Sequence, residues 1–283
     1  MDDLIRKLVT VFALSWLIGA CSQSHDAASG LQLYALDCGS IEVQNMASFS
    51  IDGTFNEQSY SLVVPCFLIR HPDGNLLWDT GFDQSLFEIP DGLRGGGFHS
   101  TVSVRLTDQL SELGLAPTDI DYVSVSHSHP DHAGNLGLFE QSTFVVSVEE
   151  HAYMFSELAR NNTAAFASYS AMEHASTLMF EDQYDLFGDG KVIMLTLPGH
   201  TPGSTVLQLR LENAGVILLT GDLITHAAGR EVGAIPAFNT DAVATRISLE
   251  KFEVRVANEN ARVIIQHEPL DFEALPAFPA WLD

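Results

Sequence analysis

The hexapeptide His127-Ser128-His129-Pro130-Asp131-His132 constrains this chain more than any other stretch. It follows an apolar run at 120–125 and precedes Ala133-Gly134-Asn135, the pattern of a buried strand passing through a tight turn into a helix. Side chains two apart on an extended segment point the same way, so His127 and His129 can grip one ion together. Once the chain turns, Asp131 and His132 can face a second ion nearby. Imidazole and carboxylate are the ligands expected for zinc, with iron and manganese as alternatives.

Three later segments each end a strand on a potential ligand. Leu197-Pro198-Gly199-His200-Thr201-Pro202-Gly203-Ser204 places a histidine in a tight turn, Leu219-Thr220-Gly221-Asp222 ends on an aspartate, and Ile264-Ile265-Gln266-His267 ends on a histidine. Ligands at strand ends converge on the rim of a sheet, where α/β proteins place their sites. One such histidine alone would ordinarily be structural. The hexapeptide with all three segments in order predicts a two-ion site built from His127, His129, Asp131, His132, His200, Asp222 and His267.

The rest of the chain alternates strand-like and helix-like segments. Strands are expected at 31–37, 62–70, 76–78, 120–125, 143–148, 192–197, 205–211, 216–219 and 263–265, and helices at 102–113, 149–158 and 241–258. Pro65 argues for an edge position or a bulge in its strand. The glycine-rich stretch 92–97 reads as a flexible loop, and the polar, alanine-rich stretch 161–176 as a mobile loop or lid. The order suggests one layered α/β domain with helices on the faces of the sheets.

Of 283 residues, 46% are hydrophobic and 18% charged, enough apolar material for a sizeable core. The 13 basic against 37 acidic residues give a formal charge of -24, with no clustered Lys or Arg to meet nucleic acid or an anionic membrane. At the N-terminus Arg6 and Lys7 precede an apolar run at 8–18, which is too short for a permanent membrane span and reads as a signal-peptide core. It ends in Leu17-Ile18-Gly19-Ala20-Cys21, which resembles a bacterial lipobox with Cys21 as the lipidated residue. The expected organisation is a signal peptide at 1–20, a tether after the lipidated cysteine at 21–30, and the domain that carries the two-ion site at 31–283. Export follows, to the periplasm or as an outer-membrane lipoprotein, with the membrane touched only through the lipid. Cys38 and Cys66 remain; sequence cannot place them within bridging distance, and buried free thiols are the expected state.

The signature H-x-H-x-D-H followed by distant His, Asp and His resembles the metallo-β-lactamase superfamily, from about Leu31 to the C-terminus. The resemblance implies an αββα four-layer sandwich with a dinuclear site between two sheets. It implies one metal on His127, His129 and His200, the other on Asp131, His132 and His267, and Asp222 as the bridge. Asp79, in Leu77-Trp78-Asp79-Thr80-Gly81, matches the family's D-T-G element, a support for the histidine loop.

Two such ions lower the pKa of a shared water, giving hydroxide near neutral pH to attack a carbonyl or phosphoryl group. Asp131 or Asp222 would relay the proton to the leaving group. No serine lies in a G-x-S-x-G elbow and no cysteine accompanies the histidines, so no covalent nucleophile is required. β-Lactamases of the superfamily carry Cys or Ser where Asp222 stands, which turns the reading away from β-lactams. The layout is most similar to the N-acyl-homoserine lactonase branch, through Leu33-Tyr34-Ala35-Leu36-Asp37-Cys38-Gly39, Val64-Pro65-Cys66-Phe67-Leu68-Ile69, Pro236-Ala237-Phe238-Asn239-Thr240-Asp241 and Gln266-His267-Glu268-Pro269. The resemblance thus implies a quorum-quenching lactonase that opens N-acyl-homoserine lactone rings, the substrate being a small acylated lactone. The alternatives are another carboxylic-ester, aryl-ester or phosphotriester metallo-hydrolase, and an iron oxygenase acting on persulfides, which uses fewer ligands. One departure stands out: the branch places a tyrosine three residues after the bridging aspartate, and here that position is Thr225, followed by His226. Either could bond a substrate, or His226 could be a surface residue. Candidates for an acyl groove are Phe82, Phe87, Phe98, Met154, Phe155, Phe166 and Phe238, whose ordinary alternative is core packing.

Overall fold

The computed structural model describes residues 30–283, so the signal-like segment, Cys21 and all of the expected tether except Gly30 lie outside the described residues. The first sheet contains β1 (Gln32–Val43), β2 (Tyr60–His71), β3 (Gly74–Trp78), β4 (Leu93–Gly95), β5 (Phe98–Thr101), β6 (Tyr122–Ser124), β7 (Thr143–Ser147) and β8 (Thr177–Phe180). Its strand order is β4-β5-β1-β2-β3-β6-β7-β8. The second holds β9 (Gln183–Asp185), β10 (Val192–Thr196), β11 (Thr205–Leu211), β12 (Gly215–Leu219) and β13 (Arg262–Ile264), in the order β13-β12-β11-β10-β9. The helices are α1 (Leu106–Glu112), α2 (Pro130–Ala133), α3 (Val148–Met154), α4 (Glu157–Asn161), α5 (Thr163–Tyr169), α6 (Ala227–Val232), α7 (Ala242–Glu259) and α8 (Pro269–Glu273).

Period-two alternation along the strands builds the layers. In β1 and β2, Leu33, Ala35, Phe67 and Ile69 face Val192, Met194, Leu207 and Leu209 of the second sheet, forming the core between sheets. The intervening Tyr34, Leu36, Leu68 and Cys66 face Leu106, Leu110, Ala133 and Met154 on the helical side. Val206 and Leu218 turn outward to Phe252 of α7. Helices, two sheets and a helix make the four-layer αββα sandwich. No helix among the described residues is long and apolar enough to cross a membrane.

Pro65 lies in β2, which is paired on both sides, so the edge position is excluded and the bulge is found. The register slips between Asp37 and Ser40 of β1, directly opposite Pro65, which has no N–H to give. Gln109 of α1 compensates: its carbonyl accepts from the Asp37 N–H at 3.0 Å and its amide donates to the Asp37 carbonyl at 2.7 Å.

Three expectations are corrected. Cys38 and Cys66 are not free thiols but a disulfide with Cα atoms 5.8 Å apart. The antiparallel pairing of β1 with β2, which sets Leu36 opposite Cys66, brings them together, and that register cannot be read from spacing. The stretch 92–97 is a hairpin, β4 and β5 joined by Gly96-Gly97, whose φ values of 58° and 88° are those a tight two-residue hairpin turn needs. The stretch 161–176 is helical and anchored by Tyr169 and Met172, both buried in the core. Elsewhere the expected strands overlap those found and the long helix lies within a residue of α7, but β1 runs on to Val43, β8 and β9 have no expected counterpart, and the helix expected at 149–158 is broken into α3 and α4.

Candidate metal centre

All seven predicted ligands converge at one rim of the sandwich. His127, His129, His200 and Asp222 form one cluster and Asp131, His132 and His267 another, each with donor atoms within 4.8 Å of one another. Asp222 reaches both: its carboxylate oxygens lie 2.8 Å from His267 Nε2, 3.3 Å from His200 Nε2, 3.4 Å from His132 Nε2 and 3.9 Å from His127 Nε2.

The far nitrogen of most of these rings is pinned. His132 Nδ1 is 2.9 Å from an Asp79 oxygen, His200 Nδ1 2.9 Å from Asn239 Oδ1, His267 Nδ1 2.7 Å from the Val63 carbonyl, and His127 Nδ1 3.1 Å from Ser126 Oγ. With Nδ1–H donating, Nε2 turns its lone pair inward, which is the ligand form. His129 instead turns Nδ1 inward, 3.0 Å from His200 Nε2. His127 and His200 Nε2 atoms stand 2.9 Å apart, and those of His132 and His267 3.1 Å. Lone pairs that close repel, so a proton or a cation must stand between them. Buried Asp222 Oδ1 receives no hydrogen bond although His267 Nε2 is 2.8 Å away. A divalent cation at each cluster resolves both conflicts, so the residues fit two ions.

Electrostatics divides the two clusters. Burial, reinforced by His132, His200 and His129, pushes His127 well below the ordinary imidazole value. His129 and His200 fall too, burial being the largest cause in each. Burial also opposes charge on His132 and His267, but carboxylates prevail: Asp79, Asp131 and Asp222 raise the first, Asp222 and Asp131 the second. Asp222 stays well below the usual carboxylate range despite its burial, held there by His267, His132 and His200.

Asp79 stands where expected and does more. Its φ of 58° is unusual for a non-glycine residue and aims a fully buried carboxylate under both loops. It accepts from the Ser126 N–H at 2.6 Å, the Ser126 hydroxyl at 2.9 Å and the Gln266 amide at 2.5 Å, besides His132. Glu150, on the first turn of α3, is a support that the sequence did not reveal. Oε1 accepts from the Ser128 N–H at 2.9 Å; Oε2 accepts from the Thr201 hydroxyl at 2.6 Å and the Gly203 N–H at 3.2 Å. It thereby joins the turn carrying His127 and His129 to the turn carrying His200. Gly203 must be glycine, since a Cβ there would lie 2.0 Å from the Glu150 nitrogen.

A cavity of about 620 Å³ rises from the metal cluster, floored by His129, Asp131, Asp222 and His267 and walled by Ile41, Phe49, Leu62, Phe82, Phe98 and Phe238. Of the seven groove candidates, Phe82, Phe98 and Phe238 line it. Met154 is core, Phe155 and Phe166 pack against Tyr169, and Phe87 lies under Arg105. Phe49, Ile41 and Leu62 escaped the sequence reading. Thr225 lines the cavity beside Asp222, its hydroxyl 3.0 Å from His226 Nδ1. His226 is no surface residue: it is 2% exposed, boxed by Phe49, Phe55 and Tyr60, and its pKa is lowered by that burial.

The sequence matches the family model of the metallo-beta-lactamase superfamily over residues 61–267. The N-acyl homoserine lactonase AttM of Rhizobium radiobacter is 30% identical over 268 residues, covering 88% of this chain and 99% of that protein. An N-acyl homoserine lactonase of a Bacillus species is 26% identical over 228 residues, covering 78% of this chain and 87% of that one. Among solved structures, an N-acyl homoserine lactone hydrolase with the product N-hexanoyl-L-homoserine at its catalytic metal center shares the fold at a TM-score of 0.76 and 24% identity, over 89% of this chain and 98% of that one.

Proposed function

The chain belongs to the metallo-beta-lactamase superfamily, and from that premise and the geometry of its site we propose that it is a quorum-quenching lactonase opening the ring of N-acyl homoserine lactones. The observation that carries the reading is the apolar cavity ending on the seven-ligand cluster, with an aspartate at the junction of its halves. The wall of aromatic and aliphatic side chains suits an acyl chain, and the two full-length relatives above bear the lactonase name. His127, His129 and His200 would hold one ion, Asp131, His132 and His267 the other, and Asp222 both; the imidazole-rich donor set favours zinc.

Two divalent ions supply an activated water and polarise the scissile carbonyl. The chain's own residues do the rest. Asp222 is ionised and nearly buried, so it holds the halves of the site in register. The Asp131 side chain is 19% exposed on the cavity floor; with Oδ2 facing His132 and His267 as the ligand atom, its other oxygen would take a proton from the attacking water and return it to the leaving alkoxide. With His226 Nδ1–H donating to Thr225 Oγ1, the Thr225 hydroxyl proton is free to turn into the cavity towards a substrate carbonyl. The phenylalanine walls exclude water and orient the acyl chain.

Export as a lipoprotein anchored at Cys21 is part of the same proposal. The signal-like segment supports it, and so does the Cys38–Cys66 disulfide, which suits an oxidising compartment. The test of function is to offer the purified protein N-acyl homoserine lactones, aryl esters and phosphotriesters, following ring opening by proton release. Lactone opening well above the other two classes is expected. No opening of any lactone, or faster phosphotriester turnover, would overturn the reading.

A further inference from the structure

A second cavity, of about 460 Å³, lies beyond the first and shares two wall residues with it, Phe49 and Thr225. It opens between α6 and α7 and is walled by Leu223, Ile224, Ala234, Leu249 and Val254. At its mouth Arg230 and Glu253 neutralise each other through bonds of 2.8 and 2.9 Å. Phe49 is thus a partition one side chain thick. It is 4% exposed, at the end of a short 3-10 turn (Met46–Phe49), with its ring edge-on to Phe238 at 5.2 Å and 6.4 Å from Phe98. Its other ring neighbour is His226 at 6.0 Å, and with no hydrogen bond open to it only packing fixes its rotamer.

We propose that the second cavity is a subsite for the distal methylenes of acyl chains too long for the first, with Phe49 setting how much of a chain passes. The inference rests on the lactonase reading above. A chain whose lactone head sits at the metal cluster runs along Phe98 and Phe238 and meets Phe49 next. Turning that ring aside joins the two cavities into one channel that leads out between α6 and α7. The aliphatic inner wall suits methylenes, while the charged Arg230, Arg246, Glu250 and Glu253 lie on the α6 and α7 side where the cavity opens.

The experiment is the ratio of kcat/KM for dodecanoyl over butanoyl homoserine lactone in the wild type and in Phe49→Leu, Phe49→Ala and Ala234→Phe. Each methylene given apolar surroundings is worth about fourfold, so opening the partition for two of them raises the ratio by roughly 15-fold in the Phe49 variants. Ala234→Phe puts a ring into the second cavity and lowers the ratio by a similar factor. Removing a buried phenylalanine can prevent folding; if Phe49→Ala does not fold, Phe49→Leu and Ala234→Phe decide the matter. Folded variants that keep the wild-type ratio overturn the subsite while leaving the lactonase reading intact. A wild type that opens no lactone overturns the lactonase reading itself.

Discussion

Glu150→Gln keeps the size of a buried side chain and removes only its charge and one acceptor. The carboxylate accepts from three donors at 2.6–3.2 Å, on both sides of the cleft between the two histidine turns. An amide can satisfy one side with its oxygen but presents N–H to a backbone N–H on the other, that of Ser128 or of Gly203, where the Thr201 hydroxyl alone can turn to accept. One or two buried donors therefore lose a charged acceptor, at about 1–3 kcal/mol each. Part of that cost is offset because burial already penalises the Glu150 charge and raises its pKa. The net expectation is a loss of about 1–3 kcal/mol, concentrated in the relative placement of His127, His129 and His200. That corresponds to a roughly 10- to 100-fold weaker hold on the ion at this cluster, the range typical of residues that orient ligands without touching metal. The assay is calorimetric titration of apoprotein with zinc, comparing Glu150→Gln with wild type and with Asp79→Asn, which removes the carboxylate behind His132. Glu150→Gln should weaken one of two binding events and Asp79→Asn chiefly the other. Two unchanged affinities in Glu150→Gln, or equal weakening of both, would refute the argument.

Thr225→Val removes a hydroxyl at constant volume; kcat/KM should fall about tenfold, with the melting temperature little changed and Thr225→Ser restoring most of the activity. An unaltered rate in Thr225→Val would show that the hydroxyl gives nothing to the reaction. Acidification should empty the two clusters in order. His132 and His267 have raised pKa values, so protons compete with metal there at higher pH, whereas His127, His129 and His200, lowered by burial, stay neutral further down. Metal analysis after dialysis at falling pH should therefore pass through one ion per chain, and simultaneous loss of both would contradict the division. The Cys38–Cys66 disulfide spans a separation of 28 residues, for which loop-closure entropy predicts about 3.5 kcal/mol. The Cys38→Ala/Cys66→Ala double variant should melt roughly 7–14 °C lower, and an unchanged melting temperature would argue that the pair is not bonded.

The ligand set was legible because metal chemistry restricts residue type and spacing at once. Few explanations other than an ion exist for His127, His129, Asp131 and His132 packed into one turn. Supports lack that restriction. Glu150 is one of 37 Asp and Glu residues, and its three donors come from turns 22 to 53 residues away. Asn239 and Gln266 are equally silent, since a single amide gains meaning only once the fold brings His200 or Asp79 beside it. The disulfide depended on register and the hairpin at Gly96-Gly97 on backbone pairing, neither of which side-chain pattern encodes. The segment 161–176 did carry a signal: Tyr169 and Met172, three apart, mark a buried helical face amid small polar residues. The cavity wall was half legible for a related reason. Phenylalanines near the ligand loops could be guessed, while Phe49 and Ile41, remote in sequence, could not.

The proposed lactone opening depends on two ions held by these seven residues. Its most direct test is to strip the protein with a chelator and follow N-acyl homoserine lactone hydrolysis as zinc is returned in known equivalents. The stripped protein should show negligible turnover and activity should rise to a plateau at two equivalents, with Asp222→Asn failing to recover. Full activity without metal, or a plateau at one equivalent with the second without effect, would contradict it.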